Sequence, residues 1–302
     1  MKITKVEAAF RQLIVRVTRR AKIAALVFSL LPGAVGFAQD DSAAVGLART
    51  ENEFAACASI FGIKYAFLRY FDVTAVMFVP RPANAREILL VEPETKGKLI
   101  WHPSQVEVSA SGDFGYTTGP SEFIPAGPDS ATPHTAHFLS VWKRSESGGW
   151  KVILDVGSRS PFVDMKAETL QIPEASIAVN RESPDTLGRE LPKADSTYSQ
   201  RAVEEASGEA LKRFASERVL VYRQGCVPAR DKRSAVHLLM SEKFKACIPG
   251  SSDIARSGDL AFTYGLALST NADTSNYVRI WKWENGWKVK VDLVNLWPKR
   301  PQ

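Results

Sequence analysis

Three residues on two neighbouring strands have the types needed for proton transfer. Alternation along the strands puts Tyr116, Glu122 and His137 on one side of an antiparallel hairpin. If Thr118 pairs with Val141, Glu122 faces His137 across the ladder. A carboxylate beside an imidazole is a general base, and a tyrosine hydroxyl can donate to a developing oxyanion. Against this stands Pro120, which can end the strand before Glu122, and the common fate of a histidine near a strand end, which is solvation. His102 follows Trp101 at a site suited to a pocket mouth, His134 falls in a loop, and His237 lies in a helical stretch from Ala235 to Met240. The sequence holds no glycine-rich phosphate loop, no nucleophile elbow and no metal-ligand spacing, so neither cofactor nor metal is expected.

The elements that must carry these residues read as follows. Phe54, Cys57 or Ala58, Phe61, Tyr65 and Leu68 recur at helical spacing between about Leu47 and Phe71, with Glu51 and Glu53 in the early turn, where negative charge suits the helix dipole. A short element from Val73 to Phe78 and a helical turn from Arg86 to Val91 come next. Strands are expected around Val106 and Val108, from Phe114 to Phe123, from Thr135 to Arg144 and from Trp150 to Val156. Residues 161–193 carry Pro161, Pro173, Pro184 and Pro192 among acids and serines and read as a linker, with a short docked strand at Ser176 to Val179.

The second half repeats the first. Gly208 to Phe214 follows Gly62 to Tyr70, Pro249 follows Pro103, and Ser257-Gly258-Asp259-Leu260 follows Ser111-Gly112-Asp113-Phe114. Ile280-Trp281-Lys282 and Trp287-Lys288-Val289 echo Val141-Trp142-Lys143 and Trp150-Lys151-Val152. The recurrence of Trp142, Trp150, Trp281 and Trp287 at equal places favours packing over a stacking platform. Helix first, then helical turns, then antiparallel strands closing on Trp-Lys-Val resembles the nuclear transport factor 2-like superfamily, and within it the SnoaL-like domains. The resemblance implies an α+β fold of two tandem cone-shaped domains, each with helices packed on a curved, mostly antiparallel sheet. The boundaries would be a signal at 1–38, a first domain at 39–160, the linker at 161–193 and a second domain at 194–302. Such domains hold a pocket at the open end of the cone and commonly pair sheet to sheet, so an intramolecular pseudo-dimer is expected here.

Enzymes of that superfamily suggest a catalytic carboxylate on the late strands, which nominates Asp155 and Asp292. Strand phase argues otherwise. Trp287, Val289 and Val291 share one face, and Lys288, Lys290 and Asp292 the other, with Asp155 beside Lys151 by the same count. Without a bulge both aspartates would turn away from the pocket. The pocket would instead be lined by Trp101, His102, Tyr116, Thr118 and Asn276.

Charge and address complete the reading. Seven of the 39 lysines and arginines and one of the 33 acids precede residue 39, so the remainder is balanced at 32 of each. A neutral body lacks the counterion-releasing surface that nucleic-acid binding needs. The basic start, the apolar run Ile23 to Leu31, the break at Pro32-Gly33 and the small residues before Gln39 read as an export signal cut after Ala38. That predicts a periplasmic or secreted protein with no membrane attachment after cleavage. In an oxidising compartment Cys226 and Cys247 can pair, although a body of this size does not need the staple. Three function classes remain: a binding protein for a small, mostly apolar ligand; a metal-free lyase, isomerase or hydrolase using the first pocket; and a scaffold whose sheet faces bind protein.

Overall fold

The computed structural model describes residues 42–127, 132–161, 163–173, 183–271 and 273–297. The expected export signal and the short strand expected at 176–179 lie outside the described residues.

The first half opens with α1 (Ala43–Phe61), whose cap is Ser42 accepting from the Val45 amide. Gly62, at φ 96°, ends it, and α2 (Ile63–Tyr70) starts in a new direction. That break, which a glycine accommodates without strain, splits the single helix expected from periodicity. On either side of it, Phe61 and Tyr65 are left exposed. The strands β1 (Phe71–Phe78), β2 (Pro82–Asn84), β3 (Gly97–Trp101), β4 (Gln105–Val108), β5 (Phe114–Pro125), β6 (His134–Arg144) and β7 (Trp150–Arg159) follow, with α3 (Ala85–Val91) after β2. They form one sheet in the order β2-β1-β7-β6-β5-β3, with β4 also on β5.

The second half has α4 (Pro184–Glu204), α5 (Ser207–Phe214), β8 (Ala215–Arg223), α6 (Lys232–Leu239), β9 (Phe244–Ile254), β10 (Leu260–Ser269), β11 (Thr274–Trp283) and β12 (Trp287–Leu296). Its sheet order, β8-β12-β11-β10-β9, repeats that of β1-β7-β6-β5 and the β3/β4 edge. Both halves pair their first strand parallel to their last. Residues 184–193, expected as linker, are the first turns of α4, which carries Pro192 inside it.

Each sheet has two buried faces. Helices cover one, over Leu47, Phe54, Trp142 and Val152 in the first half and over Leu191, Tyr198, Trp281 and Val289 in the second. The other faces meet each other, joining Phe114, Tyr116, Leu139 and Val141 to Phe262, Val278, Ile280 and Val291. Phe114 stacks on Phe262 at 6.2 Å. Contacts across this seam are reciprocal: the Ser111 amide donates to Ser257 Oγ at 3.1 Å, and the Ser257 amide to Ser111 Oγ at 3.1 Å. All three cysteines are free thiols. No described helix is long and apolar enough to cross a membrane.

Candidate functional site

One extra residue on the last strand of each half decides which side chains reach the cone interiors. In the first half Trp142 pairs with Val152, but Val141 pairs with Leu154, so Ile153 is a bulge. Lys290 is the matching bulge, between Trp281–Val289 and Ile280–Val291. A bulge reverses the alternation beyond it. Trp150 and Val152 point to the helices, Leu154 and Val156 to the seam, and Asp155 therefore returns to the helix side. The expectation that Asp155 and Asp292 turn away from the interior is corrected on this ground.

Their surroundings differ. Asp155 is half-buried and accepts a hydrogen bond from Ser140 Oγ at 2.7 Å. Burial pushes its carboxyl up to about 6, against the pull of that hydroxyl. Asp292 is fully buried and accepts from the Tyr198 hydroxyl at 2.6 Å, with an Arg223 guanidinium nitrogen 3.4 Å away. Burial opposes its charge, yet Arg223 and Arg279 hold it below the usual carboxylate range.

The centre of each interior is also acidic. Leu47, Glu51, Phe54 and Ala58 form the buried stripe of α1, and Leu191, Asp195, Tyr198 and Ala202 that of α4. Glu51 thus faces the core and is no partner of the helix dipole. It accepts from Trp101 Nε1 at 2.6 Å, Trp142 Nε1 at 3.1 Å and the Thr117 hydroxyl. No cation is among these partners, so burial dominates and lifts the carboxyl to about 7. Asp195 takes the Thr263 hydroxyl at 2.7 Å, the Tyr277 hydroxyl at 2.8 Å and Arg279 Nη1 at 2.7 Å. The charge signals were present in the sequence as an acid within an apolar helical stripe. For Asp195, the prolines that suggested a linker concealed the helix.

The residues expected to form a site lie mostly in the seam. Register puts His137 opposite Pro120 and Glu122 opposite Thr135, so the expected Glu122–His137 pair is two residues out of register. His137 is buried, and its carboxylate partner is Glu168, at 2.9 Å from Nε2, while Ser160 Oγ sits 2.8 Å from Nδ1. Glu168 also binds Ser104 Oγ at 3.0 Å and Arg230 of the second half, and its carbonyl oxygen lies 3.0 Å from His102 Nε2. Burial works against the Glu168 charge, but His137, Arg230 and Ser104 together hold its carboxyl down to about 2. Tyr222 stacks on His137 at 5.3 Å and its hydroxyl is 3.0 Å from Thr118 Oγ1. Tyr116 donates to Glu107 at 3.1 Å and receives from Gln105 at 2.8 Å. Each of these groups is saturated by protein partners, which suits a clasp tying residues 163–173 to both halves. Nothing in strand phase could have found Glu168, because it lies outside every strand.

Trp101, His102, Tyr116, Thr118 and Asn276 do not line one pocket. Trp101 packs on Phe54 on the helix side, His102 sits on Glu168, and Tyr116 and Thr118 face the seam. Asn276 reaches from the second sheet to the Pro80 carbonyl. Among the described residues no three metal-ligating side chains gather.

Open space lies elsewhere. A cavity of about 510 Å³ sits between α2, α3 and β1, lined by Ile63, Met77, Val79, Ile88, Leu89 and Pro93, with Lys64, Glu92 and Glu94 at its edge. Met77 pairs in register with Asp155, as Val221 does with Asp292, so Val79 and Arg223 hold equivalent places. In the second half Arg223 fills that place, bonded to Glu242 at 2.6 and 2.9 Å. There α6 also comes so close that a Cβ on Gly208 would meet the Val236 carbonyl at 2.8 Å. Lys64 stands where Gly208 does, one residue into α2, and its ammonium reaches out to the Glu92 carbonyl at 2.6 Å.

No family model and no curated protein matches the chain. Solved structures do resemble parts of it. A ketosteroid isomerase-like protein from Erwinia carotovora atroseptica is 19% identical, with 40% of this chain and 97% of that one covered and a TM-score of 0.31. An NTF2-like protein from Cytophaga hutchinsonii is 17% identical over 38% and 99% of the two chains, at 0.29. An NTF-2 like protein of unknown function from Shewanella oneidensis is 13% identical over 36% and 94%, at 0.30.

Proposed function

We propose that the chain is an exported protein that binds a small, mostly apolar molecule in the cavity between α2, α3 and β1. One observation carries this: the first half leaves open, and lines with aliphatic side chains, a space that Arg223 and the α5–α6 approach close in the second. Its volume falls within the range of about 300–1,000 Å³ common to small-molecule sites. Apolar burial would drive binding, at about 25 cal/mol per Å² removed from water. The basic and apolar start of the sequence supports export, and the reciprocal seam supports an intramolecular pseudo-dimer of two related domains. The scaffold reading loses its surface, because the sheet faces left free by the helices bury each other.

Native mass spectrometry of protein purified from the exported fraction tests the proposal. A mass adduct released on denaturation and missing from Leu89→Arg is expected. An adduct-free wild type that also takes up no apolar additive would refute it. A second reading rests on Asp155, a carboxyl at about 6 whose register partner Met77 lines the cavity. It could exchange a proton near neutral pH. In that case Asp155→Asn should abolish turnover of a bound substrate while leaving its affinity unchanged.

A further inference from the structure

The seam has two flanking clefts that correspond to each other, and they carry different charge. One, of about 310 Å³, is lined by Thr74, Val76 and Ile153 of the first half and by Asp253 and Tyr264 of the second. Its charges are mixed: Asp72, Lys143, Arg144 and Asp253 border it, and Lys143 pairs with Asp253 at 2.8 Å. The other, of about 230 Å³, has Arg218, Leu220 and Lys290 in the places of Thr74, Val76 and Ile153, with Arg230 beside them. Gln105 of the first half and Gln171 of the connecting segment close it from the opposite side. Among the described residues its lining holds three cations and no carboxylate.

Lys290 is the telling residue. As the bulge of β12 it leaves the ordinary alternation and lines the cleft, and it is only 6% exposed. Its nearest carboxylate oxygen among the described residues is on Glu284 at 3.9 Å, and Glu284 also receives the Ser216 hydroxyl at 2.8 Å. Arg230 is already taken by Glu168. Among the described residues Arg218 has no ion pair or hydrogen bond. A buried ammonium is unfavourable unless a counter-charge meets it. The matching place in the other cleft, Ile153, carries no charge at all.

We propose that this cleft binds an oxyanion, a carboxylate or phosphate group carried by a small molecule, between Lys290 and Arg218, with the two glutamine side chains as neutral partners. The Arg218 fork and the Lys290 ammonium would each make charge-assisted hydrogen bonds to it. The site is distinct from the apolar cavity of the first half, and its ligand chemistry is opposite.

The test is isothermal titration of the full exported chain with inorganic phosphate and, separately, with succinate, at ionic strength held constant with chloride. Saturable binding of either probe at one site per chain is expected, and which probe binds names the group. Lys290→Met should weaken it by roughly tenfold or more, the effect of losing one hydrogen bond to a charged group. Arg218→Gln, at an exposed position, gives the same readout if Lys290→Met does not fold. Leu89→Arg, which blocks the apolar cavity, should leave oxyanion binding unchanged. No saturable heat with either probe, or affinities within twofold of wild type in both cleft variants, would overturn the proposal.

Discussion

The two halves share one chain path and have opposite interiors. In the first, Glu51 is buried among two indoles and a hydroxyl, and Asp155, among the described residues, is hydrogen-bonded by a serine alone. In the second, the equivalent Asp195 and Asp292 are met by Arg279 and Arg223. The guanidinium of Arg279 also lies over the rings of Tyr198 and Tyr277, at 4.3 and 4.0 Å. Burial lifts the two carboxyls of the first half to about 7 and about 6, and that half also keeps an open cavity, whereas the acids of the second half are met by cations. The difference comes from few positions. Arg223 stands where the first half has Val79, and Gly208 where it has Lys64. It shows that a repeated fold can fill the interior of one copy and leave an aliphatic-lined space in the other.

The largest expected effect breaks the second interior. Arg279→Met should destabilise the protein by about 3–5 kcal/mol in urea unfolding, because it leaves buried Asp195 without its cation. A loss below about 1 kcal/mol would mean that the ion pair is not what neutralises this core.

Next comes the pH response of the first interior. Folded Glu51 keeps its proton up to about pH 7, against an unfolded value of 4.5. It therefore stabilises the fold fully below pH 4.5, and that contribution is lost as the pH rises through 7. The loss attributable to it is about 3 kcal/mol. Urea unfolding of wild type and Glu51→Gln, compared at pH 4.5 and 8, should show wild type losing that much more than the variant. Equal slopes would sharpen the comparison the other way, by showing that Glu51 titrates alike in the folded and unfolded chain. The opposite sign holds for Asp292: its lowered pKa supplies stability above the unfolded value that disappears as the pH falls.

The smallest effect concerns what the halves have in common. Ser257→Ala removes hydroxyl contacts to Ser111 and Asp259 at the seam and should cost about 1 kcal/mol by the same unfolding measurement.

Much of the scaffold was legible in the sequence. Alternation correctly grouped Tyr116, Leu139, Val141, Phe262, Val278 and Ile280 on one face, because a two-residue period survives until something interrupts it. It could not say which face, since both sides of each sheet are buried and equally apolar. The residues assigned to a pocket thus sit between the sheets. Ile153 and Lys290 were unreadable as bulges, having no glycine or proline to mark them, and that single hidden residue reversed Asp155 and Asp292. His137 does meet a carboxylate, but it is Glu168, far along the chain, and not the Glu122 that strand phase nominated. The open cavity depends on how closely two helices approach, which residue types suggest only when Gly208 and Lys64 are set side by side.

The direct test of this asymmetry is the stoichiometry of a neutral apolar dye, Nile red, on the wild-type chain and on Leu89→Arg. The account predicts one dye per wild-type chain and none on the variant, with Arg223 keeping the second half closed. Two dyes per chain, or one that remains after Leu89→Arg, would contradict it.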